Sequence, residues 1–242
     1  MKWRIIPQEK FSASMNMAID HMLFSASEPT IRFYKWESGG VSMGALQDQN
    51  EINIEACKIK GIGIVRRMTG GSAILHEPYD FTYSVAAPLK NFGGNISEAY
   101  REICQGIIAA LAGIGINSSM RNSNDVCVGN KKISGNAAKT SKGNYLQHGT
   151  IIYDLNSARM SEILKADEAQ IRRSVTSVKL NSSASQDDLY NAMIASFSSG
   201  RECYTRKLSK EELLAAKKIA EKIYSNPYNE NAVKKRGACY VR

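Results

Sequence analysis

The chain has 242 residues, a formal net charge of +9, 43% hydrophobic and 23% charged residues and only 5 prolines. This balance builds a folded chain with one substantial core and excludes a disordered or collagen-like polymer. No run reaches the roughly 18 apolar residues of a membrane span, and the start MKWRIIPQEK lacks a signal peptide's apolar region, so a cytoplasmic protein with no membrane partner is expected.

Five cysteines (57, 104, 127, 203, 239) are widely spaced, histidines stand only at 21, 76 and 148, and no CxxC or HExxH occurs, which argues against a disulfide framework or a dedicated metal centre. The cations are dispersed; the densest groups are Lys131 with Lys132, Arg172 with Arg173, and Lys234, Lys235 and Arg236. With no nucleic-acid motif beside them, the charge suits a nucleotide, an acyl phosphate or an acidic protein better than nucleic acid.

In chain order, residues 3–6 read as a short strand. Ser12 or Ser14 then caps a helix whose Met15, Ile19, Met22 and Leu23 share one face. Residues 31–34 and 41–43 read as strands around a turn with Gly39 and Gly40. Asn50 and Asn53 compete to cap a short helix that Gly61 ends, and a strand over 62–65 follows. Asn95 and Glu98 have capping-box spacing before the longest apolar helix, with Ile103, Ile107, Leu111 and Ile114 inward. Residues 126–128, 132–134 and 145–153 supply strands of loose alternation, which predicts a mixed sheet covered on one face by helices. A polar connection over 165–186, a helix burying Leu189, Met193, Ile194 and Phe197, and a last helix capped by Ser209 with Glu212 complete the pattern. The basic end, 229–242, is expected to be flexible unless it docks. With no repeat and no composition break, 1–242 reads as a single domain.

The stretch RRMTGGSAILHEPYDFTYSV, residues 66–85, places Arg66, Arg67 and His76 around a glycine pair. Adjacent glycines let backbone N–H groups approach a ligand, and arginines fork onto phosphate or carboxylate oxygens; a tight hairpin with solvated arginines fits the same letters. His76 is placed either for an acyl or phosphate group or for a structural bond to Tyr79 or Asp80.

Three segments, RRMTGGSAILH, NDVCVGNKKISGNA and QHGTIIYDL, resemble the signatures of the lipoate-protein ligase and octanoyltransferase family. NMAIDHMLF, Ser42-Met-Gly44 with Gln47, and IYSNPYN extend the likeness over about residues 3–229. The resemblance implies an α/β (α+β) fold, a mixed β-sheet flanked by helices, like the catalytic fold of biotin-protein ligases and class II aminoacyl-tRNA synthetases. It implies Lys132 as the catalytic cation at the acyl carbonyl and phosphate, and Arg66, Arg67, Gly70, Gly71 and Ser72 as a loop over acyl group and nucleotide. Ser72 departs from the glycine usual there. His76, Asn124, His148, Gly149 and Thr150 would bind substrate, and Asp125 would hold Mg2+.

The compact Asn124-to-Lys132 spacing matches the ligases rather than the transferases that use a cysteine nucleophile, which leaves Cys127 as an alternative nucleophile or an ordinary packed residue. The reaction expected on this basis is ATP- and Mg2+-dependent: lipoate becomes lipoyl-AMP, and the lipoyl group passes to a lysine of a carrier domain of a 2-oxo acid dehydrogenase E2 subunit or the glycine cleavage H protein. A separate small accessory subunit is a possible partner. The competing expectation is octanoyl transfer from acyl carrier protein without ATP.

Overall fold

The computed structural model describes residues 2–122 and 124–227; the expected flexible end 229–242 and the last residues of IYSNPYN lie outside them. An eight-stranded sheet forms the centre. Its strands are β1 (Trp3–Phe11), β2 (Thr30–Trp36), β6 (Phe81–Pro88), β7 (Ser119–Arg121), β8 (Asp125–Val128), β9 (Lys131–Ser141), β10 (Asn144–Ile151) and β11 (Cys203–Thr205). Their spatial order is β11-β1-β2-β6-β10-β9-β8-β7. Strands β11, β1 and β2 run parallel, and every pairing from β2 to β7 is antiparallel. A second sheet has the order β4-β3-β5, from β3 (Gly40–Met43), β4 (Gly63–Arg66) and β5 (Ile74–His76).

The mixed sheet is as expected, but helices cover both faces rather than one. Side chains alternate across a strand, so β2 sends Ile31 and Phe33 one way and Tyr34 and Trp36 the other. The first pair packs with α3 (Ile96–Gly113) and α6 (Gln186–Ser198). The second packs with α1 (Ala13–Phe24) and α7 (Lys210–Ile219). Near-continuous burial in β2 and β6 follows from this double cover and explains the loose alternation. α2 (Ile54–Ile59) and α4 (Ser157–Leu164) back the small sheet around Val41, Met43, Leu75 and Ile163.

Ser12 caps α1 and Asn53 caps α2, settling both competitions. Asn95 caps α3 by accepting from the N–H of Ser97, while Glu98 pairs with Arg101, so no capping box forms there. The buried face of α1 is rotated from the expected stripe and includes Asn16 and Asp20. These polar residues face inward because Arg32 of β2 lies beneath them: its guanidinium donates to Asn16 O, Asn16 Oδ1 and Asp20 Oδ1 at 3.1, 2.6 and 2.8 Å. Residues 165–186 contain α5 (Glu168–Ser174) and a parallel bridge from Val175 to Lys132.

Candidate active site

A cavity of about 660 Å³ opens between the loop after β4, the start of α3 and strands β8 and β9. Arg67, Gly70, Gly71, Ser72, Asn124, Asp125 and Lys132 line it, so the structure gathers predicted residues from two of the three motif segments. A narrow slot of about 20 Å³ continues inward along Met17, Tyr34, Trp36, His76, His148, Gly149 and Thr150. The cavity and slot share Arg67, Ile74, Gly135 and Ala137.

Lys132 reaches the cavity because β9 has glycine at 135: a Cβ there would lie 2.7 Å from Lys132 Cε and 2.9 Å from Nζ. The ammonium stands 2.7 Å from Asp125 Oδ1. Lys131 turns away and donates to Arg172 O at 2.9 Å, as alternation along a strand requires. Cys127 is opposite Lys132 in the β8–β9 ladder and is 4% exposed. Burial, then the negative Asp125, push its thiol above the ordinary range, against the opposing pull of Arg121 and Lys132.

The two arginines face different spaces. Arg67 is buried, and its donors hold the glycine loop: Nε to Thr69 Oγ1 at 3.1 Å, Nη1 to Ser42 O at 2.6 Å, and Nη2 to Gly70 O and Ser72 O at 2.6 and 2.9 Å. Burial lowers its pKa to about 10, which leaves it charged at neutral pH. Arg66 lines a different cavity of about 500 Å³ with Phe24 and Met68. It donates to the carbonyls of Gly44, Gln47 and Pro227 at 3.0, 2.7 and 3.1 Å. Gly71 has φ +88°, and a Cβ on Gly44 would stand 1.7 Å from Gly71 O, so the loop folds over Gly44 only because both are glycine.

His148 bridges Asp20 and Thr69, with Nδ1 3.0 Å from Asp20 Oδ2 and Nε2 2.7 Å from Thr69 Oγ1. Burial alone would raise the Asp20 pKa, but the His148 hydrogen bond and the Arg32 charge outweigh it and hold the carboxyl below its ordinary value. His76 bonds Ser42 Oγ at 2.8 Å and Thr150 Oγ1 at 3.0 Å, with its ring stacked on Trp36 at 4.0 Å. Neither expected structural partner, Tyr79 or Asp80, is used; Asp80 instead accepts from the N–H groups of Glu77 and Tyr153. Burial, and then the charge of Arg67, keep the His76 pKa well below its ordinary value.

Asp20, Arg32 and Thr69 join this network without having been among the expected site residues. The available signal was Asn16 and Asp20, polar residues one turn apart inside an apolar helix, which require a buried partner.

Among curated proteins the chain is similar to octanoyltransferase LipM of Clostridioides difficile, 31% identical over 71% of this chain and 73% of that protein. It is 31% identical to the LipM of Lysinibacillus sphaericus over 92% and 96%, and 29% identical to that of Bacillus subtilis over 93% and 96%. Among solved structures, lipoate-protein ligase A bound with ATP superposes with a TM-score of 0.84 at 24% identity, covering 96% of this chain and all of that one. The bipartite lipoate protein ligase of Thermoplasma acidophilum has a TM-score of 0.84 at 24% identity, covering 96% of each chain. These structures establish the biotin- and lipoate-ligase-like catalytic fold.

The octanoyltransferase relatives overturn the expected lipoate ligase, and with it lipoate adenylation, lipoyl-AMP and the ATP, Mg2+ and free lipoate requirement. The charged side chains expected to meet nucleotide and metal have protein partners or another cavity at rest. Arg67 is engaged with its own loop, Arg66 faces another cavity, and Asp125 is paired to Lys132. The compact Asn124-to-Lys132 spacing misled because it measures only the length of the β8–β9 hairpin, which does not report the chemistry beside it. The model of the lipoyl protein ligase A/B catalytic domain matches residues 12–198, and the chain belongs to that family.

Proposed function

We propose that this chain is an octanoyltransferase, moving an octanoyl group from the thioester of acyl carrier protein to a lysine of a lipoyl carrier domain, of an E2 subunit or the glycine cleavage H protein, without ATP. The observation that carries this reading is the similarity to octanoyltransferases along nearly the full chain, with Lys132 set in a cavity of about 660 Å³. Residues 1–242 act on this reading as a single cytoplasmic catalytic domain; the structure itself has no helix, among the described residues, long and apolar enough to cross a membrane.

Arg67, Gly70, Gly71, Ser72 and Asn124 form the mouth, and His76, His148, Gly149 and Thr150 the inner wall. The Lys132 ammonium stabilises the oxyanion that forms when the acyl carbonyl becomes tetrahedral. Cys127 is assigned the acyl-carrying role because, among the described cysteines, it alone shares a ladder rung with Lys132. Its sulfur attacks the donor carbonyl, the donor's C–S bond breaks, and the Cys127 proton leaves with the donor thiol. The carrier amine then attacks the new thioester, an amide C–N bond forms as the acyl C–S bond to Cys127 breaks, and the amine's proton returns to the Cys127 sulfur.

The test is acylation of a lipoyl domain followed by intact mass spectrometry, with octanoyl acyl carrier protein or lipoate plus ATP and Mg2+ as donor, with and without a candidate accessory polypeptide. Octanoylation without ATP is expected, and the accessory polypeptide should not be needed. A product formed only with ATP would overturn the reading.

A further inference from the structure

A chain of buried hydrogen bonds runs across the large sheet to the cavity. Tyr145 OH donates to Gln147 Oε1 at 2.6 Å, Gln147 Nε2 to Tyr83 OH at 3.0 Å, and Tyr83 OH to Asn136 Oδ1 at 2.8 Å. Asn136 Nδ2 then donates to Asn124 O at 2.8 Å, and Asn124 Nδ2 returns a bond to Asn136 O at 3.1 Å. Each hydroxyl or amide has one consistent direction of donation, and such aligned chains strengthen their members. Tyr145, Gln147 and Tyr83 are fully buried, and Asn136 is 5% exposed.

Gly149 makes the chain possible. It pairs with Asn136 in the β9–β10 ladder, and a Cβ on it would stand 1.9 Å from Asn136 Oδ1 and 2.8 Å from Tyr83 Cε1. The glycine of the QHGT segment therefore clears the space where Tyr83 meets Asn136. The chain ends on the residue immediately before Asp125, whose carboxylate holds Lys132 at 2.7 Å. The Lys132 stem crosses Gly135, next to Asn136, so the two sides of the Asp125–Lys132 pair rest on adjacent residues of β9.

We infer that Asn136, seated against Gly149 at the end of this chain, is a positioning residue that fixes the Asn124–Asp125 limb and through it Lys132. The inference rests on the proposed transfer reaction for its kinetic consequence and on the hydrogen bonds alone for its structural one. Asn136 touches no reacting atom. Its effect passes through Asp125.

The experiment compares the full-length wild type with Asn136→Ala, Asp125→Asn and the double variant in octanoyl transfer from acyl carrier protein to a lipoyl domain, with melting curves for each. Amide hydrogen exchange of residues 124–126 is measured in the wild type and in Asn136→Ala without any substrate. Asn136→Ala is expected to lower kcat by about 10- to 100-fold, with KM for either carrier within about 3-fold, because misplacement of a catalytic group costs rate more than binding. In the Asp125→Asn background the same change should cost less than about 3-fold, since residues acting through one another are not additive. Exchange at 124–126 should be faster in Asn136→Ala.

An equal loss in both backgrounds, an unchanged kcat, or unchanged exchange at 124–126 would overturn the inference. If Asn136→Ala does not fold, Tyr83→Phe, which removes only the hydroxyl bonded to Asn136, replaces it with the same expected pattern. A wild type that transfers no octanoyl group sinks the transferase reading instead, and the exchange measurement then decides the positioning role by itself.

Discussion

Lys132 and Asp125 form an ion pair at 2.7 Å at the cavity edge, the lysine 39% and the carboxylate 19% exposed. The pair holds the ammonium in place before any acyl group arrives, so the cation need not be reorganised when the carbonyl oxygen gains charge.

Replacing Lys132 with Ala should therefore lower octanoyl transfer by about 100- to 1000-fold, the usual loss when one oxyanion-stabilising group is removed. Single-turnover transfer to a lipoyl domain measures it. A loss below about 10-fold would remove Lys132 from the reaction.

Cys127→Ala should abolish both transfer and the acyl-enzyme seen by intact mass after mixing with octanoyl acyl carrier protein alone. A Cys127→Ala protein that still transfers without ATP would leave the transferase standing and make attack by the carrier lysine direct. Burial, and after it the Asp125 charge, hold the thiol up, so Asp125→Asn should speed alkylation of Cys127 by iodoacetamide in the resting protein, read by peptide mass.

Two buried groups give opposite pH dependences between 7.5 and 5.5. His76 has its folded pKa depressed by burial, so below about 6.5 the unfolded chain takes up a proton that the native one refuses, and stability falls with acidification. Asp80 has its folded pKa raised by burial to about 7, so the native state takes up a proton that the unfolded chain does not, and stability rises with acidification. The two contributions oppose each other in the wild type. His76→Gln should melt higher at pH 5.5 than at 7.5, and Asp80→Asn lower; the reverse order would show that one of these groups is exposed to solvent.

Arg67→Lys keeps the charge but cannot reproduce a guanidinium that reaches Thr69, Ser42, Gly70 and Ser72 together. It should cost about 2–4 kcal/mol of stability, from several buried hydrogen bonds at about 1 kcal/mol each and acceptors left unsatisfied. Urea unfolding measures this. A cost below about 0.5 kcal/mol would mean that the loop is held by other contacts.

The mixed sheet and the longest helix were legible because they depend on local periodicity, and the three motif segments because they resemble the signatures of a known family. Ile103, Ile107 and Leu111 of α3 face inward as their spacing says. Reaction type was not legible, since Lys132 and the glycine loop serve either an adenylate or a thioester, and a hairpin length cannot distinguish them. Arg66 and Arg67 were equivalent letters, yet alternation along the end of β4 sends them to different cavities. Asp20, 128 residues from the His148 it bonds, and Asn136, whose neighbour is the missing side chain of Gly149, are set by tertiary register that no local pattern carries.

The pairing of β1 with β11 also bears on how the chain is made. β1 can pair with β2 as soon as Trp36 has emerged from the ribosome, but its other edge stays open until Cys203, the partner of Trp3, has been synthesised. Arg4 likewise waits for Glu212. Until residues 203–212 have been made, the chain exposes a strand edge with Trp3 and Ile5 on it, an edge open to pairing with other chains.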